Sequence, residues 1–165
     1  MQFIIVGLGN PGEDYENTRH NVGWMALDKF AKDFDIDNWH ESAKNKGEVA
    51  DGKVDKDKVT LLKPHTMMNG SGKSVETLIK SKKAVPISGR NRGSSTASVW
   101  TENLIVLHDD LDMPLGTFKI VYDRGAGGHR GVKSVQRSLG TTAFVRIKIG
   151  VSPATASGKV RKPKG

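Results

Sequence analysis

The sequence predicts an α/β protein: a single domain with three layers, helices on both faces of a twisted, mostly parallel mixed sheet. Two observations carry that expectation. Short apolar runs bounded by Gly, Pro or charged residues alternate along the chain with segments whose apolar residues recur at helical spacing. The 165 residues are enough to bury one core, and no internal repeat suggests another architecture.

The elements follow in order. Residues 2–8, QFIIVGL, are a compact apolar run ending at glycine and predict a buried strand. A polar loop leads to Val22, Met25, Ala26 and Phe30, whose spacing predicts a helix over 21–34 with these residues as its core stripe. Residues 47–52 and 58–63 predict a hairpin or meander, the second strand running VTLLK into Pro64. A second helix is expected over 66–83, with Val75, Leu78 and Ile79 on one face. Residues 84–101 are rich in Pro, Gly and Ser and predict a long surface loop. LIVLH at 104–108, FKIVY at 118–122 and the run 144–149 predict three further strands. Between the last two, Val132, Val135 and Leu139 mark the buried face of a helix. The domain is expected to end near residue 150, with 151–165 a mobile basic tail lacking any periodicity.

Composition narrows the function classes. There is no cysteine, so neither disulfides nor thiolate-bound metals are available. No apolar run approaches the roughly 20 residues that cross a bilayer, and no signal peptide is recognisable at the start; a cytoplasmic location is expected. The net charge of +8, from 26 Lys and Arg against 18 Asp and Glu, favours a polyanionic partner such as nucleic acid, the alternative being a lysine-rich soluble surface.

Gly7 to Gly12 read G-L-G-N-P-G, which matches the dinucleotide fingerprint G-x-G-x-x-G. The context argues against a cofactor. Pro11 removes an amide that a pyrophosphate would need, and Glu13, Asp14 and Glu16 bring acidic side chains to the same place. The helical pattern also begins too late. No cofactor is expected, and GNPG is read as a sharp turn at the carboxyl end of the first strand, where α/β sheets bind ligands. There Asn10 offers an acceptor and two donors to the crevice, or simply closes an Asx-turn.

Of five histidines, His20 stands at a helix start, where the helix dipole favours the neutral imidazole and makes it a candidate general base. A carboxylate on its other ring nitrogen would fix the tautomer. HDDLD supplies candidates in Asp109, Asp110 and Asp112, placed after a strand that ends at His108. The same cluster could instead be an acidic turn or bind a divalent cation, although its spacing fits neither an EF-hand nor an octahedral site; no metal is expected. With no G-x-S-x-G elbow and no cysteine, a base-activated water is the simplest hydrolytic chemistry.

Basic residues gather late in the chain. In GAGGHRGVKSVQRSLG, Arg130, Lys133 and Arg137 fall at i, i+3 and i+7, opposite the apolar face. Arg146 and Lys148 add charge to one strand face, and Lys159, Arg161, Lys162 and Lys164 follow. A glycine-rich turn opening a basic helix suits phosphate contact, and few aromatics are interleaved for base stacking.

Five blocks, GLGNPGEDYENTRHNVG, TMMNGSGKSV, HDDLDMPLG, GAGGHRGVKS and FVRIKIGV, occur here in the order found in bacterial-type peptidyl-tRNA hydrolases. The chain resembles that family from residue 1 to about 162. The resemblance implies a monomeric enzyme cleaving the ester between a peptide and the tRNA 3′-terminal ribose, recycling tRNA from stalled translation. It implies His20 as general base, Asp109 as its carboxylate, Asn10 as a ligand of the peptide main chain, Asn69 as a substrate-orienting and oxyanion-stabilising amide, and Tyr15 and Met67 as substrate or tRNA contacts. Three departures stand out. Met67 replaces a usual phenylalanine, and Arg130 replaces a usual asparagine after G-G-H, exchanging an amide for a donor-only cation. Family members also commonly continue into a C-terminal helix over the cleft, so either the sequence is a piece of a longer chain or the crevice is open. The other function open to such a chain is that of a non-catalytic RNA-binding relative, a role this fold serves in plastid splicing; Asn10, His20, Asn69 and Asp109 together argue against it.

Overall fold

The structure is a computed structural model and describes residues 1–82, 101 and 103–162. The expected loop over 84–101 therefore lies almost entirely outside the described residues. Among the described residues, seven strands form one mixed sheet: β1 (Gln2–Gly7), β2 (His40–Ser42), β3 (Gly47–Val54), β4 (Asp57–Pro64), β5 (Leu104–Pro114), β6 (Phe118–Tyr122) and β7 (Val145–Ser152), in spatial order β2-β3-β4-β1-β5-β7-β6. The central strands β4, β1, β5 and β7 run parallel, while β2, β3 and β6 pair antiparallel at the two margins. Helix α1 (Val22–Asp33) covers one face; α2 (Ser71–Ser81) and α3 (Arg130–Leu139) cover the other. This is the three-layer α/β architecture that the alternating patterns predict.

Because the central strands are covered on both faces, they are apolar at consecutive positions rather than at alternate ones. Ile4 and Val6 of β1 point with Leu62, Leu104 and Val106 towards Val75, Leu78, Val132, Val135 and Phe144. Ile5, Leu61 and Leu107 point the other way, towards Leu27 and Ala31 of α1. The stripe expected for α1 is rotated by about one position. Gly23, Leu27 and Ala31 are the buried residues, and Met25 is exposed because Gly23 is the point of closest approach to the sheet.

Several boundaries differ from expectation. The 66–83 helix begins only at Ser71, after a 3₁₀ turn over Met68–Gly70 that Ser71 Oγ ties to the Met68 carbonyl. β2 is not legible in the sequence, being three mostly exposed residues held by pairing with β3. β5 runs past His108 to Pro114, with a register shift against β7 between Asp110 and Pro114, so Asp109 lies inside the strand. β7 reaches Ser152, and an Ala154–Val160 bridge follows it. Residues 151 and 152 are thus strand, and residues 154–160 fold back on themselves.

The two helices of the second layer cross at Gly72. A Cβ there would lie 2.1 Å from the Ser134 carbonyl oxygen and 2.6 Å from Ser138 Oγ, while Ser134 Oγ accepts from the Gly72 amide at 3.0 Å. Gly72→Ala is expected to destabilise the protein by about 1–3 kcal/mol in urea unfolding. Gly125→Ala, where nothing lies within 4 Å of the added methyl, should change stability far less. Equal effects of the two would refute the close crossing.

Candidate active site

The site is built at the carboxyl ends of β1, β4 and β5, where three connections converge. After β1 the chain must turn sharply beside α1, and glycine makes this possible. A Cβ on Gly7 would lie 2.4 Å from the Gly23 carbonyl oxygen, one on Gly9 would strike the Trp24 ring at 2.7 Å, and Gly12 holds φ at 110°. The glycines of GLGNPG therefore seat a loop against a helix. That loop is held through Asn10 and Asn21: the Asn10 amide donates to Asn21 Oδ1 at 2.8 Å, and Asn21 Nδ2 donates to the Asn10 carbonyl at 3.0 Å.

Asn10 itself is buried, and its side-chain oxygen accepts from the Met68 amide at 2.7 Å. From sequence, Asn10 is expected to offer the crevice an acceptor as well as donors. The acceptor is instead engaged by the turn opening α2, which leaves Nδ2 as the group it offers. Asn69 follows in that turn, exposed on the crevice wall.

Asp109 sits at the centre, 3% exposed. His20 Nδ1 donates to its Oδ2 at 2.8 Å and His129 Nε2 donates to its Oδ1 at 2.8 Å. Burial by itself would raise the Asp109 carboxyl, but the hydrogen bonds it accepts from His129 and His20 hold the group below its usual value. His20 lies in the 3₁₀ turn Arg19–Asn21, just ahead of α1, and half of its side chain is exposed. With Nδ1 donating to Asp109, its Nε2 carries a free lone pair at the crevice.

His129 is not a candidate on sequence grounds. It precedes α3, and its Nδ1 accepts from the Gly131 and Val132 amides at 3.1 and 3.2 Å. A nitrogen accepting two amides bears no proton, so His129 is neutral with its hydrogen on Nε2. The signal that could find it is the placement of a histidine at the end of a glycine run and at the start of a helical pattern.

The remaining acidic residues of HDDLD diverge. Asp110 pairs with Lys148 at 2.5 Å and accepts from the Asp112 amide, and Asp112 pairs with Lys162. Arg146, expected to add charge to a solvated face, is 2% exposed and points inward. Its Nη2 donates to the Arg124 and Gly125 carbonyls at 3.0 and 2.9 Å, and its Nη1 approaches His108 Nε2 at 3.4 Å. The strand it occupies is covered on that face, so the guanidinium braces the glycine-rich connection. His108, also buried, donates from Nδ1 to the Asp109 carbonyl and stands edge-on to His129.

The crevice of about 690 Å³ is lined by Asn10, His20, Met67, Asn69, Asp109 and Arg130 among others. These six sequence candidates are brought together by the fold. Tyr15, in a 3₁₀ turn on the same loop, does not line it, and Lys133 and Arg137 lie exposed on the outer face of α3. No helix among the described residues is long and apolar enough to cross a membrane.

A three-layer α/β domain with an imidazole–carboxylate pair and convergent side-chain amides in a crevice at the carboxyl edge of its sheet is a class of hydrolase-like architecture. Comparison with known proteins narrows this. The family model described as peptidyl-tRNA hydrolase matches residues 4–162, and the chain belongs to that family. It is 41% identical over 149 residues to a peptidyl-tRNA hydrolase of Brevibacillus brevis, covering 90% of this chain and 70% of that protein. It is 43% identical over 148 residues to one from Bacillus cereus, with the same coverage. The solved structure of peptidyl-tRNA hydrolase from Acinetobacter baumannii superposes with a TM-score of 0.78 at 31% identity, over 98% of this chain and 76% of that one.

Burial pushes the His108 imidazole down to about 3, with the Arg146 guanidinium acting in the same direction. The unfolded chain binds this proton near 6.5. Between those values the unfolded state holds more protons, so stability present above pH 6.5 is lost as pH falls, by about 1.4 kcal/mol per unit for one group. Urea unfolding at pH 6.5, 5.5 and 4.5 should show this slope, and His108→Gln should flatten it by about one proton. An unchanged slope would place His108 in a solvated environment.

Proposed function

We propose that this chain hydrolyses the ester joining a peptide to the 3′-terminal ribose of tRNA, with His20 activating the attacking water. The observation that carries the reading is the His20–Asp109 hydrogen bond at the floor of the crevice: it holds the imidazole in the tautomer whose free Nε2 can take a proton. Water between Nε2 and the ester carbonyl loses its proton to His20 as its oxygen adds to the carbonyl carbon. Asp109 stabilises the resulting imidazolium. Asn69 and the Nδ2 group of Asn10 are the donors placed to hold the peptide carbonyl and the developing oxyanion. The imidazolium then returns its proton to the departing ribose oxygen, releasing peptide and tRNA.

Affinity for tRNA is assigned to the outer face of α3. Lys133 and Arg137 are exposed there, and Arg130 stands at the start of the helix where the crevice opens. Arg146, Lys148 and Lys162 are engaged by groups of the protein, so the α3 residues are the better placed to meet phosphates. Arg130 is too long and too strongly charged to imitate an amide, and reaches instead to a phosphate or the terminal ribose. Tyr15 is assigned to tRNA contact outside the crevice. The chain is taken to act as a monomer in the cytoplasm, needing no metal or cofactor for this chemistry.

His20→Ala is expected to lower single-turnover hydrolysis of a peptidyl-tRNA by about 100- to 10,000-fold, with tRNA affinity nearly unchanged; Asp109→Asn should be impaired less. Turnover by His20→Ala close to that of the intact protein would refute the mechanism. It would favour the non-catalytic RNA-binding reading if the intact protein also failed to hydrolyse.

Replacing Arg130, Lys133 and Arg137 together by Gln should weaken binding across tRNA sequences. It should also flatten the dependence of log affinity on log salt by roughly one unit for each phosphate that is no longer neutralised. A salt slope equal to that of the intact protein would put the tRNA on another face.

A further inference from the structure

His129 spends both ring nitrogens on the protein. Nδ1 accepts the Gly131 and Val132 amides that open α3, and Nε2 donates to Asp109 Oδ1 at 2.8 Å. The two bonds are mutually dependent. Acceptance at Nδ1 requires the hydrogen to sit on Nε2, so the helix start selects the tautomer that can hold the carboxylate. The ring is locked further by edge-on packing against the buried His108, 4.7 Å between centroids, and His108 in turn donates to the Asp109 carbonyl. Asp109 is thereby held at three atoms: its carbonyl by His108, Oδ1 by His129 and Oδ2 by His20. Without His129, Oδ1 would be a buried carboxylate oxygen with no donor, and rotation about the side chain to find one would carry Oδ2 away from His20.

We propose that His129 is a positioning residue for the hydrolysis: it holds Asp109 in the one orientation that presents Oδ2 to His20 Nδ1, and the start of α3 keeps it in the donor tautomer that does so. This rests on the reading of His20 as the general base. His129 does not reach the reacting atoms; it acts through Asp109.

Two substitutions separate this from a purely structural cap. In His129→Asn the side-chain oxygen lies where Nδ1 was, so the cap on α3 is retained, but no donor reaches Asp109. In His129→Gln the longer side chain carries an N–H out to Asp109 and loses the close acceptor for the amides. The expected result is that His129→Asn keeps a melting temperature near that of the intact protein, while kcat falls about 10- to 100-fold with KM little changed. His129→Gln should recover most of kcat despite a lower melting temperature. A kcat for His129→Asn equal to that of the intact protein, or a kcat for His129→Gln as low as that of His129→Asn, would overturn the proposal. Activity of the intact protein and its loss in His20→Ala, measured alongside, test the underlying mechanism separately. Crystal structures of the two variants decide the positioning claim without any turnover. It stands if the His20–Asp109 contact opens in His129→Asn and is kept in His129→Gln, and falls if the contact survives in both.

Discussion

One buried carboxylate organises this molecule. Asp109 is placed inside the central sheet, at a depth where an unpaired charge would cost several kcal/mol, and the fold must bring partners to it. They come from two layers: His20 from the connection leading into α1, and His129 from the connection leading into α3. The requirement to satisfy this one side chain therefore ties the helices on opposite faces of the sheet to the same point. The crevice opens at the same point, with Asn10, His20, Asp109 and His129 on its lining.

The glycines serve the same geometry from the other side. Gly7 and Gly23 let β1 and α1 approach to backbone contact, Gly9 leaves room for Trp24, and Gly72 lets α2 and α3 cross closely. Each removes a side chain where two elements must meet, and together they bring Asn10 and the Met68 amide within 2.7 Å of each other. The amide of Asn10 is consequently aimed by a loop, a turn and a helix at once. A side chain held in this way has little rotational freedom to lose when a substrate binds.

Charge is divided between structure and surface. Lys63 is buried between Asp28 and Glu48 and lies 4.2 Å from the centre of the Trp39 ring, Arg146 braces the glycine-rich connection, and Lys148 holds Asp110. A net charge of +8 thus includes cations that the fold itself engages, whereas Lys133 and Arg137 stand exposed on α3.

The sequence by itself determined the layers, the strand-helix order apart from β2, and six of the side chains that line the crevice. Those features rest on local rules: Ile4, Ile5 and Val6 are apolar in succession because both faces of β1 are covered, and Val132, Val135 and Leu139 repeat at helical spacing because one face of α3 is. His20 and Asp109 are legible as candidates because each stands in a short, chemically unusual run; family resemblance supplies their pairing. What only the tertiary structure decided concerns partners far apart in the chain. Arg146 reads as a solvated strand residue until its face is covered, and Asn10 reads as a free amide until Met68 engages its oxygen. Nothing in the order of residues says that His129 shares a carboxylate with His20, 109 positions earlier. A hydrogen bond of that kind leaves no periodicity or spacing in sequence, because its geometry is set by how two layers pack onto the strand between them.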